Sequence, residues 1–264
     1  MTQAAMRRAV GTVVVLPGTG SDEVFVRAVF GAPSAEVGLH LVTPAPRHGS
    51  HLAEHHLAAL DAAAEKYGPI VVGGISLGAH LAAEWAAANP DRCAGLLAAM
   101  PGWYGAPDTA DGTAPGSATA GISAAAVAAD GIDAALAATT RDVPPWLAAE
   151  LDRAWRRAGD ELAASLLVAV DRPAPTLDML AGITVPAGVA CCLDDPVHPI
   201  GVAARWTTAL PAAELHTITF AEFGADRTAL GRAALAGLLA RMHDQVGDDH
   251  PDDDDSRDAA QRQR

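Results

Sequence analysis

Short aliphatic runs alternate with longer helical patterns along most of this 264-residue chain. The runs end in turns that contain Gly or Pro, as buried strands do, whereas the longer segments carry apolar residues at helical spacing. We predict six strands, over residues 12–17, 39–44, 69–74, 93–103, 185–195 and 214–220. Because parallel strands need a crossover that is usually helical, the alternation predicts an α/β fold, with a mostly parallel sheet wrapped by helices.

The alternation stops between about residues 104 and 180. This stretch has no strand pattern and consists of Ala-rich helical segments divided by Pro and Gly, so we expect a helical insertion over one end of the sheet. Half of all residues are hydrophobic, which predicts a single domain over residues 1–246. Residues 247–264 form an acidic block without apolar anchors, and this composition predicts a disordered tail.

Charge and cysteine content exclude several classes of function. The formal net charge of −14 argues against a nucleic acid partner, because phosphate contacts need a basic face. The three cysteines cannot form a disulfide framework, which favours a reducing compartment. The apolar run after Arg8 is short and lacks a cleavage site, so we interpret it as a first strand rather than a signal peptide. We find no apolar run long enough to span a bilayer and expect a cytoplasmic protein without a membrane partner.

Motifs for metals and cofactors are weak. The segment HLAEHH places His51, Glu54 and His55 at helical spacing, which we do not interpret as a ligand set. The sequence contains neither a phosphate-binding loop nor a dinucleotide fingerprint. We therefore predict no cofactor and no metal.

The stretch VVGGISLGAH holds Ser76 between two glycines, at the junction of a predicted strand and a predicted helix. A serine on such a turn projects its hydroxyl, and the glycines remove side chains that would clash. Since the helix begins directly after the serine, the N–H of Leu77 points towards a developing oxyanion. We assign the second oxyanion donor to the N–H of Thr19, in the turn after the first strand. The alternative is an inert serine in a Gly-rich turn.

These segments resemble the α/β-hydrolase family over nearly the whole folded chain. VVVLPGTGSD is similar to the family's oxyanion strand and turn, and GGISLGAH is similar to its nucleophile elbow. CCLDDPVHP resembles the strand end that carries the family's acid, usually D-x-x-V-P, and this register selects Asp195 rather than Asp194. Residues 104–180 correspond to the family's helical cap, and the short N-terminus implies a reduced sheet.

The family's histidine usually follows a glycine in the loop after the last strand. Here Gly224 is followed by Ala225, so the base must come from elsewhere. His198 replaces the valine of D-x-x-V-P, at the edge where ligands bind in open parallel sheets. A histidine three residues from its acid could swing over Ser76, which gives a rearranged triad of Ser76, Asp195 and His198. The alternative is that His198 caps its helix or binds the loop.

Two further residues are assigned to substrate binding, His48 in the rim segment TPAPRHGS and Trp103 at the start of the cap. We interpret His80, four residues after Ser76, as a buried histidine beneath the elbow. His48, His51 and His80 remain alternative bases.

The resemblance implies a serine hydrolase that cleaves an ester, thioester or related acyl bond of a small molecule. A second interpretation is a catalytically impaired protein of this fold that binds a ligand. A third is non-hydrolytic chemistry, such as a lyase reaction or an acyl transfer. The sequence leaves the substrate and the oligomeric state open.

Overall fold

The computed structural model describes residues 11–107 and 114–247, and these contain one six-stranded sheet. The strands are β1 (Thr12–Leu16), β2 (His40–Val42), β3 (Ile70–Ile75), β4 (Cys93–Ala99), β5 (Ala187–Cys192) and β6 (Ala213–Ile218). Their order across the sheet is β2-β1-β3-β4-β5-β6, and every neighbouring pair is parallel. The predicted parallel α/β sheet is confirmed. All six strands therefore end at the same edge.

Ten α-helices lie within the described residues. They are α1 (Glu23–Glu36), α2 (Leu52–Tyr67), α3 (Leu77–Ala88), α4 (Pro115–Thr139), α5 (Pro145–Ala158), α6 (Leu162–Asp171), α7 (Leu177–Ala181), α8 (Ile200–Ala209), α9 (Phe220–Ala225) and α10 (Thr228–Gly247). Helices α4 to α6 fall in the segment predicted to be helical, and we call residues 114–172 the insertion. Most of α7 also lies in the segment 104–180 that was predicted to be helical, whereas the short helix α9 was not predicted. The predicted tail lies outside the described residues beyond Gly247.

Alternate residues of each strand face opposite sides of the sheet. Val14 and Leu16 pack with apolar residues of α2, α3 and α8, whereas Val13 and Val15 pack with those of α1 and α10. All four side chains are fully buried. Because helices cover both faces, the strands carry apolar residues on both sides, which explains why they form continuous aliphatic runs.

The insertion has an apolar core of its own, to which α4 contributes Ala124, Val127 and Leu136. By length and composition alone, α4 is long and apolar enough to cross a membrane. The chain bends inside α4 at Gly131, where φ is 79° and ψ is 171°. Since α4 is bent and packs against α6, we describe it as part of the insertion.

Helix α10 packs directly on β5 at Gly188, and this contact allows a stability test. A Cβ at Gly188 would lie 1.9 Å from the carbonyl oxygen of Ala234, a backbone atom that cannot move aside. We predict that Gly188→Ala lowers the free energy of unfolding by about 3 kcal/mol. Gly201→Ala is the control, because a Cβ there has no neighbour within 4 Å. Urea unfolding measures both variants, and equal stabilities would contradict the prediction.

Candidate active site

Ser76 lies between β3 and α3, where the chain turns sharply. Its backbone has φ 56° and ψ −120°, a conformation that residues other than glycine rarely adopt. A Cβ at Gly74 would lie 2.0 Å from the carbonyl carbon of Gly78, and a Cβ at Gly78 would lie 2.4 Å from the carbonyl oxygen of Leu16. The turn therefore requires glycine at both positions. Within residues 71–80 only Ser76 is not buried.

Ser76, His198 and Asp195 form a continuous hydrogen-bonded chain. Ser76 Oγ lies 3.0 Å from Nε2 of His198, and His198 Nδ1 lies 2.8 Å from Oδ2 of Asp195. The second carboxylate oxygen of Asp195 accepts the N–H of Val197 at 2.8 Å. Asp195 and His198 share the loop after β5, so the loop itself orients them towards each other. The structure thus brings together the three residues that the sequence predicted as a triad.

His198 and Asp195 are largely shielded from solvent, with 12% of the His198 side chain and 5% of the Asp195 side chain exposed. Burial by itself raises the pKa of Asp195. The hydrogen bond and charge of His198, together with the N–H of Val197, lower this pKa by more than burial raises it. The pKa of this carboxyl group is therefore below its ordinary value. An ionised carboxylate at Nδ1 favours a proton on that nitrogen, which leaves Nε2 free to accept from the Ser76 hydroxyl.

The turn after β1 approaches the elbow from the other side. A Cβ at Gly18 would lie 3.3 Å from the Cβ of Ser76, and Thr19 follows directly. Leu77 is the first residue of α3, so its N–H belongs to the initial helix donors that have no partner inside the helix. Of the two predicted oxyanion donors, Leu77 directly follows Ser76 along the chain, and Thr19 directly follows Gly18, the residue that lies against Ser76.

Asp22 connects this turn to α1 and to the insertion. Its buried carboxylate accepts the N–H groups of Val24 and Phe25 at the start of α1. It also accepts hydrogen bonds from Arg153 and Arg157 of α5. The sequence does not reveal this pairing, since Arg153 is 131 residues away from Asp22 along the chain. In the sequence, the only indication of a shared acidic partner is that Arg153 and Arg157 lie four residues apart, on one face of a helix.

The two residues assigned to substrate binding lie in different surroundings. Trp103 is 3% exposed and follows Gly102, where a Cβ would lie 3.8 Å from Cδ2 of His198. Trp103 is therefore close to His198. His48 is half-buried against α6, with its Nδ1 3.3 Å from Oγ of Ser165. The structure places His48 at the edge of the insertion, and its role in binding stays a prediction.

The segment that would carry the family's usual histidine forms α9 instead of an open loop. Ala225 is exposed at the end of this helix. A Cβ at Gly224 would lie 2.8 Å from Nε1 of Trp146 in the insertion, so the segment packs closely there. Oδ1 of Asp194 accepts the N–H of Phe220 at 2.7 Å and thereby holds the start of α9. The two neighbouring acids, Asp194 and Asp195, thus have different partners.

No family model and no curated protein matches this sequence. Solved structures do match. An enol-lactonase from Burkholderia xenovorans LB400 has a TM-score of 0.68 at 15% identity, over 88% of this chain and 92% of that one. A thermophilic esterase from Thermogutta terrifontis has a TM-score of 0.59 at 18% identity, over 90% of this chain and 88% of that one. A third match is a structure from a study of carboxylesterases of Nitrososphaera gargenis. It has a TM-score of 0.65 at 13% identity, over 90% of this chain and 92% of that one.

This chain has the α/β-hydrolase fold. The predicted architecture is therefore confirmed, including the helical segment that follows the first strands. At these identities the likeness establishes the fold alone, and the chemistry has to be argued from the residues around Ser76.

Two buried histidines predict how stability depends on pH. Burial lowers the pKa of His56 to about 4 and that of His80 to about 3, from an ordinary value of 6.5. Between pH 6.5 and 4 the unfolded chain therefore binds more protons than the folded one, and stability falls as the pH falls. Asp22 and Asp195, whose pKa values are lowered, lose their contributions only below about pH 4.

Urea unfolding at pH 7 and pH 5 measures this effect. We predict a loss of about 2 kcal/mol for each histidine at pH 5. The double variant His56→Gln/His80→Gln should lose much less over the same interval. An unchanged free energy of unfolding in the original protein would contradict the prediction.

Proposed function

We propose that this protein is a serine hydrolase that cleaves an ester, thioester or related acyl bond of a small molecule. The observation that carries the proposal is the chain of contacts from Asp195 through His198 to Ser76, with distances of 2.8 and 3.0 Å. Nucleophile, base and orienting acid are thus within hydrogen-bond reach of one another, as the mechanism requires.

In the first half of the reaction, Nε2 of His198 accepts the proton of the Ser76 hydroxyl while Oγ attacks the acyl carbon. The N–H groups of Thr19 and Leu77 stabilise the oxyanion of the tetrahedral intermediate, helped by the positive end of α3. Asp195 stabilises the imidazolium that forms. The intermediate collapses when His198 gives its proton to the leaving group, which leaves an acyl group on Ser76.

Water completes the cycle by the same steps. His198 removes a proton from a water molecule, which attacks the acyl carbon and forms a second oxyanion. Collapse of this intermediate breaks the bond to Oγ, and His198 returns the proton to Ser76. The acid product leaves and the starting arrangement is restored.

The surroundings of the turn after β1 favour an apolar acyl group. A Cβ at Gly20 would lie 3.0 Å from Nε1 of Trp155 and 3.6 Å from Cδ2 of Leu166, so an indole ring and an aliphatic side chain of the insertion cover this turn. Trp103 adds a further aromatic ring near His198. The names of the structural neighbours, an enol-lactonase and an esterase, are consistent with acyl–oxygen bonds as targets.

We predict that Ser76→Ala and His198→Ala each lower kcat/KM for short p-nitrophenyl esters by about 10⁴-fold, because each removes a member of one catalytic unit. His216→Ala is the control. His216 lies on β6, where its Nε2 is 2.9 Å from Oε1 of Glu214. The His216→Ala variant should therefore keep wild-type turnover. A fluorophosphonate probe should label the wild type and the control but not Ser76→Ala.

Two other results would change the proposal. If the wild type neither turns over esters nor reacts with the probe, the ligand-binding interpretation is favoured. If Ser76 is labelled and no tested ester is hydrolysed, acyl transfer or a lyase reaction becomes the better explanation.

The adjacent acids provide a matched pair for a second test. Asp195→Asn should lower kcat by about 10⁴-fold, because an amide no longer holds His198 in the required tautomer or stabilises its charge. Asp194→Asn should keep full activity, since its Oδ1 can still accept the N–H of Phe220. Ester hydrolysis by both variants measures the difference. Equal losses would show that Asp195 is not the specific partner of the base.

A further inference from the structure

His80 lies beneath the elbow and contacts the turn that follows β4, near His198. It is on α3, one helical turn after Ser76, and only 2% of it is exposed. Its Nε2 accepts the N–H of Gly102 at 3.0 Å and lies 3.5 Å from the N–H of Trp103. Since Nε2 accepts, the proton of the neutral ring is on Nδ1. Burial, with a smaller effect of His198, lowers the pKa of His80 to about 3, so the ring is neutral at pH 7.

The turn that His80 holds lies next to the His198 ring. A Cβ at Gly102 would lie 3.8 Å from Cδ2 of His198 and also 3.8 Å from Cε1 of His80, so Gly102 lies between the two rings. Met100, two residues earlier, has a φ of 50°. Such a conformation persists only where surrounding contacts hold it. The hydrogen bond from Gly102 to His80 is one of these contacts.

Two tryptophans connect His80 to the helix that follows His198. The His80 ring meets Trp103 edge to face, with centroids 4.5 Å apart, and stacks on Trp206 at 5.6 Å. Trp206 belongs to α8, which begins at Ile200, and donates its Nε1–H to the carbonyl of Trp103 at 3.0 Å. A change at His80 therefore reaches the His198 loop through the Gly102 turn and through α8.

We propose that His80 is a positioning residue for His198. By accepting the N–H of Gly102, it fixes the turn that orients the His198 imidazole between Asp195 and Ser76. The inference rests on the proposed function, because His198 is the general base in that reaction. A histidine that only fills space would have no effect on the His198 ring once its volume is replaced.

Three substitutions of His80 separate these roles. His80→Leu fills the volume but leaves Gly102 without an acceptor, whereas His80→Gln brings an amide oxygen close to the place of Nε2. We predict that His80→Leu lowers kcat for p-nitrophenyl esters by about 10²-fold with little change in KM, the loss expected for a reacting group displaced by about 1 Å. His80→Gln should recover most of that loss. His80→Met offers a more flexible apolar replacement if the leucine variant does not fold.

A spectroscopic measurement reports on the His198 ring directly. The proton between Nδ1 of His198 and Asp195 should give a low-field NMR signal that disappears in Asp195→Asn. We expect this signal to be lost or shifted in His80→Leu and retained in His80→Gln. The control is His56→Leu, because His56 is also a buried histidine but lies on α2. It should keep both the signal and the wild-type kcat.

A folded His80→Leu or His80→Met variant with wild-type kcat and an unchanged signal would overturn the inference. So would equal impairment of the leucine and glutamine variants, since the acceptor would then not matter. If the wild type hydrolyses no ester, the proposed function fails by itself. In that case loss of the signal in His80→Leu, but not in His80→Gln, still supports the positioning role, and its persistence overturns it.

Discussion

The strained turn at Ser76 is the constraint on which the rest of the site depends. A backbone of this kind costs about 1–3 kcal/mol in a residue other than glycine, so the surrounding structure must hold it. The N–H of Ser76 binds the carbonyl of Ala99 at 3.0 Å, which ties the turn to the end of β4. Gly78 brings the first turn of α3 against the end of β1. The parallel order of β1, β3 and β4 therefore both creates the turn and stabilises it.

The proposed base lies on the same loop as the proposed acid, so the segment after β6 does not have to supply it. Asp195 and His198 orient each other through a local hydrogen bond of 2.8 Å, and this bond needs no contribution from the C-terminal segment. That segment forms α9, whose Phe220 and Phe223 rings each lie 5.3 Å from the ring of Trp146. Where the family usually places its base, this chain anchors the insertion to the sheet.

Local patterns predicted most of the sheet and the elbow, because strand runs, caps and glycine turns depend on residues that are neighbours in the sequence. Packing explains the differences. Proline normally interrupts a helix, but α1 continues through Pro33, which lies against α10 near Gly231. His198 could be found because the acid motif placed it beside Asp195. The bond from Gly102 to His80 left no sequence signal, since a helix residue and a distant turn share no periodicity.

Charge couples the position of the insertion to the turn after β1. Arg172, at the end of α6, binds both carboxylate oxygens of Glu84 at 2.7 and 2.9 Å, while Arg153 and Arg157 bind Asp22. Because Asp22 is buried, loss of both arginines would leave its charge with only the helix N–H donors, which is costly. The same carboxylate begins α1 directly after the turn that carries the proposed oxyanion donor. Arg153 and Arg157 therefore tie the insertion to the residue that begins α1, directly after the turn that carries Thr19.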